Sequence, residues 1–262
     1  MQALRTAATG MAAQQMNVEV ISNNIANMNT VGFKKQRAEF QDLLYQTLVQ
    51  AGAQSSDQGN VVPTGVQIGA GVRAGSVYRI TTQGSLTQTG NTFDLAINGR
   101  GFFQVLMPDG STAYTRAGNF SVNDQGQICT TDGYLVQPTI AVPQTATQVT
   151  ISQSGQVEAT VPGSTTPQVV GQLTLATFMN EGGLDAQGNN LFLETAASGA
   201  AVTGNPGSPG FGKVQQGYTE ASNVDPVSEI TALIVAQRAY EMNSKVVTTA
   251  DQMLQAASNV KA

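Results

Sequence analysis

Four aspartates in the middle of the chain carry carboxylates that could act in catalysis. Two carboxylates held roughly 5 to 9 Å apart perform glycoside hydrolysis, and Asp94, Asp109, Asp124 and Asp132 could supply such a pair. Three of them stand beside glycine in the short turn sequences PDG, NDQG and TDG. Aspartate is favoured there because its side chain hydrogen-bonds the backbone of the turn. We therefore interpret these aspartates as turn residues.

The sequence lacks the residues that other kinds of active site require. The chain has no histidine and one cysteine, Cys129, which removes histidine-activated nucleophiles, an intramolecular disulfide and Cys/His metal clusters. The glycine pairs at 69 and 71 and at 99 and 101 lack the third glycine of a dinucleotide fingerprint, and the aspartate turns lack the ligand spacing of a calcium loop. We predict no catalytic residues, no cofactor, no metal and no small-molecule substrate.

Charge and hydropathy exclude two classes of partner. Charged residues make up 11% of the 262 residues, the net charge is -5 and the pI is near 4.6, so a basic surface for nucleic acid is absent. The chain has no run of 18 apolar residues that could cross a membrane. The first residues do not follow the layout of a cleavable signal peptide.

The carboxy-terminal stretch from Asp225 predicts a long helix. Asp225 supplies an N-cap oxygen and Pro226 a preset φ, so the helix has a recognisable start. The 36 residues from Asp225 to Val260 would form a helix about 54 Å long at 1.5 Å per residue. Apolar residues recur in steps of three and four with one polar member, which is a heptad seam. The seam runs through Leu233, Ala236, Tyr240, Asn243, Val247, Ala250, Leu254 and Ala257.

The amino-terminal residues carry a matching seam and so offer a partner helix. It runs through Leu4, Ala7, Met11, Gln14, Val18, Ile21, Ile25 and Met28. Two readings stay open: a helix hairpin within one chain, or a bundle of several chains. Asn243 either sets the register of its seam or faces solvent. We predict that the larger seam residues form an assembly interface, comprising Leu4, Met11, Val18, Ile21, Ile25, Met28, Leu233, Tyr240, Asn243, Val247 and Leu254.

Between the ends the pattern changes from helical to strand-like. Phe33 to Gln50 reads as a short helix or an extended arm, and residues 46–65 as a flexible loop of Gly, Ser and Gln. From residue 66 to 223, short runs rich in Val, Ile, Thr and Phe alternate with turns, which indicates an all-β sandwich or barrel-like domain. We predict an α+β fold: helical residues 1–45 pair with helix 224–262 in a coiled-coil-like unit, and the β domain is inserted between them.

Three segments resemble a known family. The segment ISNNIANMNTVGFKK resembles the amino-terminal signature of the bacterial flagellar rod and hook family. The segments DLAINGRGFFQV and ASNVDPVSEITALIVAQRAYEMNSKV resemble its core β segment and its carboxy-terminal helix. The signature residues are Ser22, Asn23, Asn24, Ala26, Asn27, Thr30, Gly32 and Phe33. Its three asparagines either cap and turn the chain or hydrogen-bond a neighbouring subunit.

The resemblance implies a structural subunit without enzymatic activity. It implies export through the flagellar export apparatus without signal cleavage, and a helical homo-oligomer that crosses the periplasm and transmits torque from motor to hook. Implied partners are other rod proteins, the hook protein and the P and L ring proteins. Length and residues 46–65 favour the distal rod over a proximal rod or hook subunit. A different class, a secreted β-domain adhesin with coiled-coil oligomerising ends, is the alternative.

Overall fold

The computed structural model describes residues 2–52, 64–163 and 166–260. Within these ranges a long helix lies near each end of the chain, α1 (Gln2–Ala26) and α2 (Pro226–Val260). Short strands and one 3₁₀ turn (Glu181–Gly183) occupy the residues between them. This confirms the predicted α+β fold with terminal helices around a β-rich region. Neither helix is long and apolar enough over its described residues to cross a membrane.

The strands are short and follow one another closely. They are β1 (Gln36–Asp42), β2 (Tyr45–Val49), β3 (Val66–Gly69), β4 (Val72–Arg79), β5 (Leu86–Gln88), β6 (Leu95–Asn98), β7 (Phe102–Leu106), β8 (Thr112–Thr115), β9 (Ser121–Val122), β10 (Ile128–Cys129), β11 (Leu135–Gln137), β12 (Gln148–Ile151), β13 (Gln156–Thr160), β14 (Gln168–Gln172), β15 (Leu175–Thr177), β16 (Asp185–Gly188), β17 (Leu191–Leu193), β18 (Val202–Gly204), β19 (Lys213–Gln216) and β20 (Tyr218–Glu220).

The chain divides into two compact units. Of the described residues, 2–25, 36–52, 64–78 and 225–260 form the first, which we call the helical unit. Residues 26–35, 79–163 and 166–224 form the second, which we call the β unit. The sequence placed the start of the β region at residue 66, whereas the structure groups β1 to β3 and almost all of β4 with the terminal helices.

Part of the predicted amino-terminal helical segment is extended. Residues 36–42 form β1, which pairs with β4, so the extended arm is the correct alternative and the helical assignment of residues 36–45 is wrong. The physical reason is the alternation of side chains, since exposed and half-buried residues take turns along the first part of β1 as a strand requires.

The predicted loop at 46–65 is shorter than expected. β2 pairs with β3 in an antiparallel ribbon, with Tyr45 opposite Gly69 and Gln46 opposite Ile68. Residues 46–49 are therefore strand because they find backbone partners in β3. Residues 53–63 of the predicted loop lie outside the described residues.

Local signals account for the ends of both helices. The Asp225 carboxylate accepts the Val227 N–H at 3.3 Å, and the Asp225 carbonyl accepts the Glu229 N–H at 3.1 Å, as the predicted N-cap requires. After α1, Gly32 adopts a φ of +71°. A Cβ on Gly32 would lie 2.6 Å from the Ala117 nitrogen, so this turn demands glycine for both conformation and space.

The main core of the β unit lies between several sheets. Its larger sheet has nine strands, ordered β16-β17-β8-β7-β11-β10-β9, with β15 joining β7 to β18. A smaller sheet has the order β12-β13-β14, and β6 with β19 and β5 with β20 form two-stranded sheets. Phe103 on the larger sheet and Val157 on the smaller are fully buried in the same cluster, and Phe103 packs edge-on against Phe120 at 5.0 Å. The shared core holds the two sheets together.

Candidate assembly interface

Each of the two terminal helices buries only a few of its described side chains within the helical unit. On α1 the buried residues are Ala7, Ala13, Val20, Ile21 and Asn24. On α2 they are Glu229, Ala236 and Ala250. Alanine supplies two of the five on α1 and two of the three on α2, and Val20 and Ile21 are the larger apolar residues that are buried with them.

The predicted seam residues are placed accordingly. On α1, Ile21 is buried, and Leu4, Met11, Val18 and Ile25 are half-buried. Met28 lies past the end of α1 and is 37% exposed. On α2, Leu233, Asn243 and Val247 are half-buried, while Tyr240 and Leu254 are 44% and 45% exposed. Their part in contacts between copies of the chain stays a prediction.

A second apolar face of α2 is open in the single chain. Its side chains recur mostly at helical spacing and are each between 46% and 73% exposed: Val227, Ile230, Ile234, Met242, Val246 and Met253. An ion pair between Arg238 and Glu241, 3.6 Å apart, interrupts the apolar character halfway. A helix of a soluble monomer usually keeps such residues on its core side. We call these six residues the open face of α2.

Asn24 in the family signature joins three elements of the helical unit. Its side-chain amide donates to the Gln36 carbonyl at 2.8 Å and to the Glu229 carboxylate at 3.0 Å, and its oxygen accepts the Gln36 N–H at 2.8 Å. Asn24 and Glu229 are 1% and 2% exposed. Asn24 therefore acts as a strand partner for β1 and as an anchor for the first turn of α2.

The other signature residues surround the turn after α1. The Thr30 hydroxyl donates to the Asn27 side chain at 3.1 Å, and the Phe33 N–H donates to the Thr30 carbonyl at 3.3 Å. Gly32 is buried and Phe33 half-buried, whereas Ser22, Asn23 and Ala26 are exposed at the end of α1. The signature thus combines one long-range polar link with a tight local turn.

A buried charge cluster in the β unit was missed by sequence reasoning. The Glu220 side chain is fully buried and lies 2.5 Å from Lys34 Nζ and 2.6 Å from Arg116 Nε. It also accepts the Gly84 N–H at 2.9 Å, and the Glu220 carbonyl accepts the Gly32 N–H at 2.8 Å. The cluster gathers the segment after α1 and the strand before α2 within one unit.

The remaining polar atoms of the cluster are also satisfied. Lys34 donates to the Thr82 carbonyl at 2.9 Å. The Arg116 guanidinium donates to the carbonyls of Gly101 at 2.5 Å and Gly99 at 2.6 Å. A buried ion pair is stable when hydrogen bonds complete it in this way. Its three charged residues are far apart in sequence. The available signal was that Arg116 and Glu220 stand in otherwise uncharged segments.

The cluster shifts the pKa of Glu220 and of Lys34. Burial by itself would raise the pKa of Glu220, but Arg116 and the hydrogen bond from Lys34 outweigh it and hold that pKa below its ordinary value. Burial lowers the pKa of Lys34, and its bond to Glu220 offsets this only in part. Glu220 is therefore ionised at neutral pH.

Two of the four aspartates considered for catalysis, Asp94 and Asp109, have structural partners. Asp94 accepts hydrogen bonds from the Thr89 hydroxyl at 2.5 Å and the Asn91 amide at 3.0 Å. Asp109 accepts the Ser111 N–H at 2.9 Å, with Gly110 at a φ of +83°. Over the described ranges the acidic residues and the cysteine form no group of three that could hold a metal ion.

Comparison with known proteins assigns the family. A profile of the Flagella basal body rod protein matches residues 4–34, one of the Flagellar hook protein FlgE/F/G D1 domain matches 96–159, and one of the Flagellar basal body rod FlgEFG protein C-terminal matches 215–260. The Flagellar basal-body rod protein FlgG of Caulobacter vibrioides is 72% identical over 261 residues, which cover 100% of both chains.

The chain belongs to the flagellar basal-body rod proteins. FlgG of Agrobacterium fabrum is 54% identical over 97% of both chains, and FlgG of Bacillus subtilis is 41% identical over 100% of this chain and 99% of its own. The family confirms the predicted structural, non-enzymatic role in the rod. It also makes the open face of α2 a candidate surface for rod assembly.

Proposed function

We propose that this rod protein polymerises helically with copies of itself through its terminal helices, and that it builds the distal segment of the rod. The observation that carries the proposal is the open face of α2. Each of its six side chains is still about half exposed or more after α1 and α2 have packed. Burial in a polymer would stabilise it by about 25 cal/mol for each Å² of apolar surface removed from water.

Grooves beside the helix pair support the same surface. One groove of 340 Å³ is lined by Met242, Val246 and Met253 of the open face together with Ala3 of α1. Another of 330 Å³ is lined by Val18 and Tyr240 of the predicted interface. Apolar side chains of a neighbouring helix fit such grooves because ridges of one helix pack into the grooves of another.

The mechanical role follows from a tube built in this way. The polymer is a hollow shaft that crosses the periplasm and passes torque from the motor to the hook, since many neighbouring helices share the load. Its partners are other rod proteins, the hook protein, the P and L ring proteins and the export apparatus. The chain's charged content of 11% favours a β surface that turns inside the rings without strong attachment.

Electron microscopy of concentrated full-length protein tests the proposal. We expect tubes from the unchanged chain and none from Ile234→Lys/Val246→Lys, because two ammonium groups would have to be buried in the contact. Gln255→Lys/Ser258→Lys is the matched control, since it adds the same charge at exposed polar positions of α2 outside the open face. Small closed oligomers in place of tubes would support the adhesin alternative, and tubes from the Ile234/Val246 variant would exclude the open face.

A further inference from the structure

Gly10 of α1 lies against the side chain of Asn243 of α2. A Cβ added to Gly10 would lie 2.9 Å from Asn243 Nδ2 and 3.3 Å from its Cγ, closer than side chains normally approach. Glycine inside a helix costs about 1 kcal/mol relative to alanine. A packing reason offsets that cost here, because glycine is the residue that leaves room for the amide.

A second contact lies at the same spacing on both helices. Asn24 donates to Glu229 at 3.0 Å. Gly10 precedes Asn24 by fourteen residues, and Asn243 follows Glu229 by fourteen residues. The helices therefore run antiparallel and in step over two heptads, or about 21 Å at 1.5 Å per residue.

Small residues continue this spacing on α2 between the two contacts and on both helices beyond them. Ala236 lies midway between Glu229 and Asn243 and is 1% exposed. One heptad past the Gly10 contact, Ala3 and Ala250 line the same groove. These small residues let the two helix backbones approach closely, but after a slip of seven residues Gly10 would still face an alanine, Ala236 or Ala250.

We propose that the contact between Gly10 and Asn243 fixes the register of the α1–α2 pair, and we call these two residues the register key. The hydrogen bond between Asn24 and Glu229 is a second contact that fixes the same register. A polar residue at one seam position can specify register in this way. A slip of one heptad would move the helices by about 10 Å. It would also bring the Asn243 amide against Ala3 or Asn17, which carry a Cβ, and would take the Asn24 amide away from Glu229.

The register key acts between the two helices of one chain, and it does so whether or not the proposed polymer forms. It determines which apolar residues lie side by side on the outside of the pair. The open face of α2 and the half-buried Leu4, Met11 and Val18 of α1 keep their relative positions only in this register. Gly10 and Asn243 are thus positioning residues for the assembly surface.

Disulfide trapping in the full chain tests the key. In a Cys129→Ser background, Ala3→Cys and Ala250→Cys form the reporter pair, and a non-reducing gel separates disulfides within a chain from those between chains. The assay is run at the protein concentration where helix content by circular dichroism has reached its maximum. We expect closure within the chain, and a reporter that closes only between chains, or not at all, would overturn the pairing.

Variants of the key then test its role. Gly10→Asn should slow closure about tenfold or more, because it overpacks a tight contact. Adding Asn243→Ala should restore closure, since one small residue and one amide again face each other. Ala12→Asn is the control, because it makes the same insertion at an exposed position of α1. Equal slowing by Gly10→Asn and Ala12→Asn, or no rescue by Asn243→Ala, would overturn the proposal, and helix content by circular dichroism identifies a variant that has merely unfolded.

Discussion

Replacing Glu220 with alanine would leave two cationic side chains together in a site closed to water. Lys34 and Arg116 are 5% and 6% exposed, and both now bond to the Glu220 carboxylate. Each keeps its backbone carbonyl acceptors after the substitution. Their charges are no longer balanced, however, and the Gly84 N–H loses its acceptor.

The magnitude follows from these contacts. Breaking a buried ion pair by removing one partner costs about 3–5 kcal/mol, because the other charge stays buried without compensation. The Gly84 N–H adds to this cost if water does not reach it, by about 1–3 kcal/mol. We therefore expect Glu220→Ala to lower the free energy of unfolding by about 4 kcal/mol or more, a large part of the stability of an ordinary domain.

Urea unfolding of the full chain, followed by circular dichroism and by the fluorescence of its six tyrosines, measures this change. Glu181→Ala is the matched control, since Glu181 pairs at 3.0 Å with an Arg100 side chain that is 65% exposed. Such a surface pair contributes about 0–1 kcal/mol. Equal losses in the two variants would refute the view that the buried cluster holds the β unit together.

Three further predictions concern pH, the signature asparagine and the dilute protein. The pKa of Glu220 is lowered below its ordinary 4.5 in the folded chain, so the stabilisation it gives is present above the unfolded pKa and lost as pH falls through the folded pKa. The urea midpoints of Glu220→Gln should therefore vary less with acid pH than those of the unchanged chain. Parallel curves for the two proteins would contradict this. Asn24→Ala should destabilise the helical unit by about 1–3 kcal/mol, since the Gln36 backbone loses a buried partner. Hydrogen exchange at α1 and β1 measures the loss, with Ser22→Ala at an exposed position of α1 as the control. Equal exchange in both variants would disprove it. In dilute solution, protease should cut the terminal helices first, because the open face of α2 lacks its neighbours, and should leave a resistant core from about residue 79 to 224. Helices as resistant as the core would count against dependence on neighbours.

Much of the architecture could be predicted from local patterns. The heptad spacing of apolar residues predicted a helix at each end, and Asp225 and Pro226 placed the start of α2. Turn sequences such as the one around Asp109 placed breaks between strands. The three family segments indicated the rod and hook family, which the comparisons confirm. Each of these signals depends on residues within a few turns or strand positions of one another.

The tertiary structure decided the long-range polar contacts. Lys34, Arg116 and Glu220 meet only because the folded β unit brings three distant segments together, and Asn24 finds Gln36 and Glu229 in the same way. It also decided that β1 and β2 are strands, because their backbone partners β4 and β3 lie later in the chain.

The register of the helix pair shows the physical reason for this division. Apolar periodicity determines that a helix forms and which side faces a partner, but heptads of small residues look alike at every step. A glycine opposite an asparagine becomes a specific contact only when two helices more than two hundred residues apart in sequence lie side by side. The sequence by itself therefore determined the elements, whereas close packing and buried hydrogen bonds decided how they fit together.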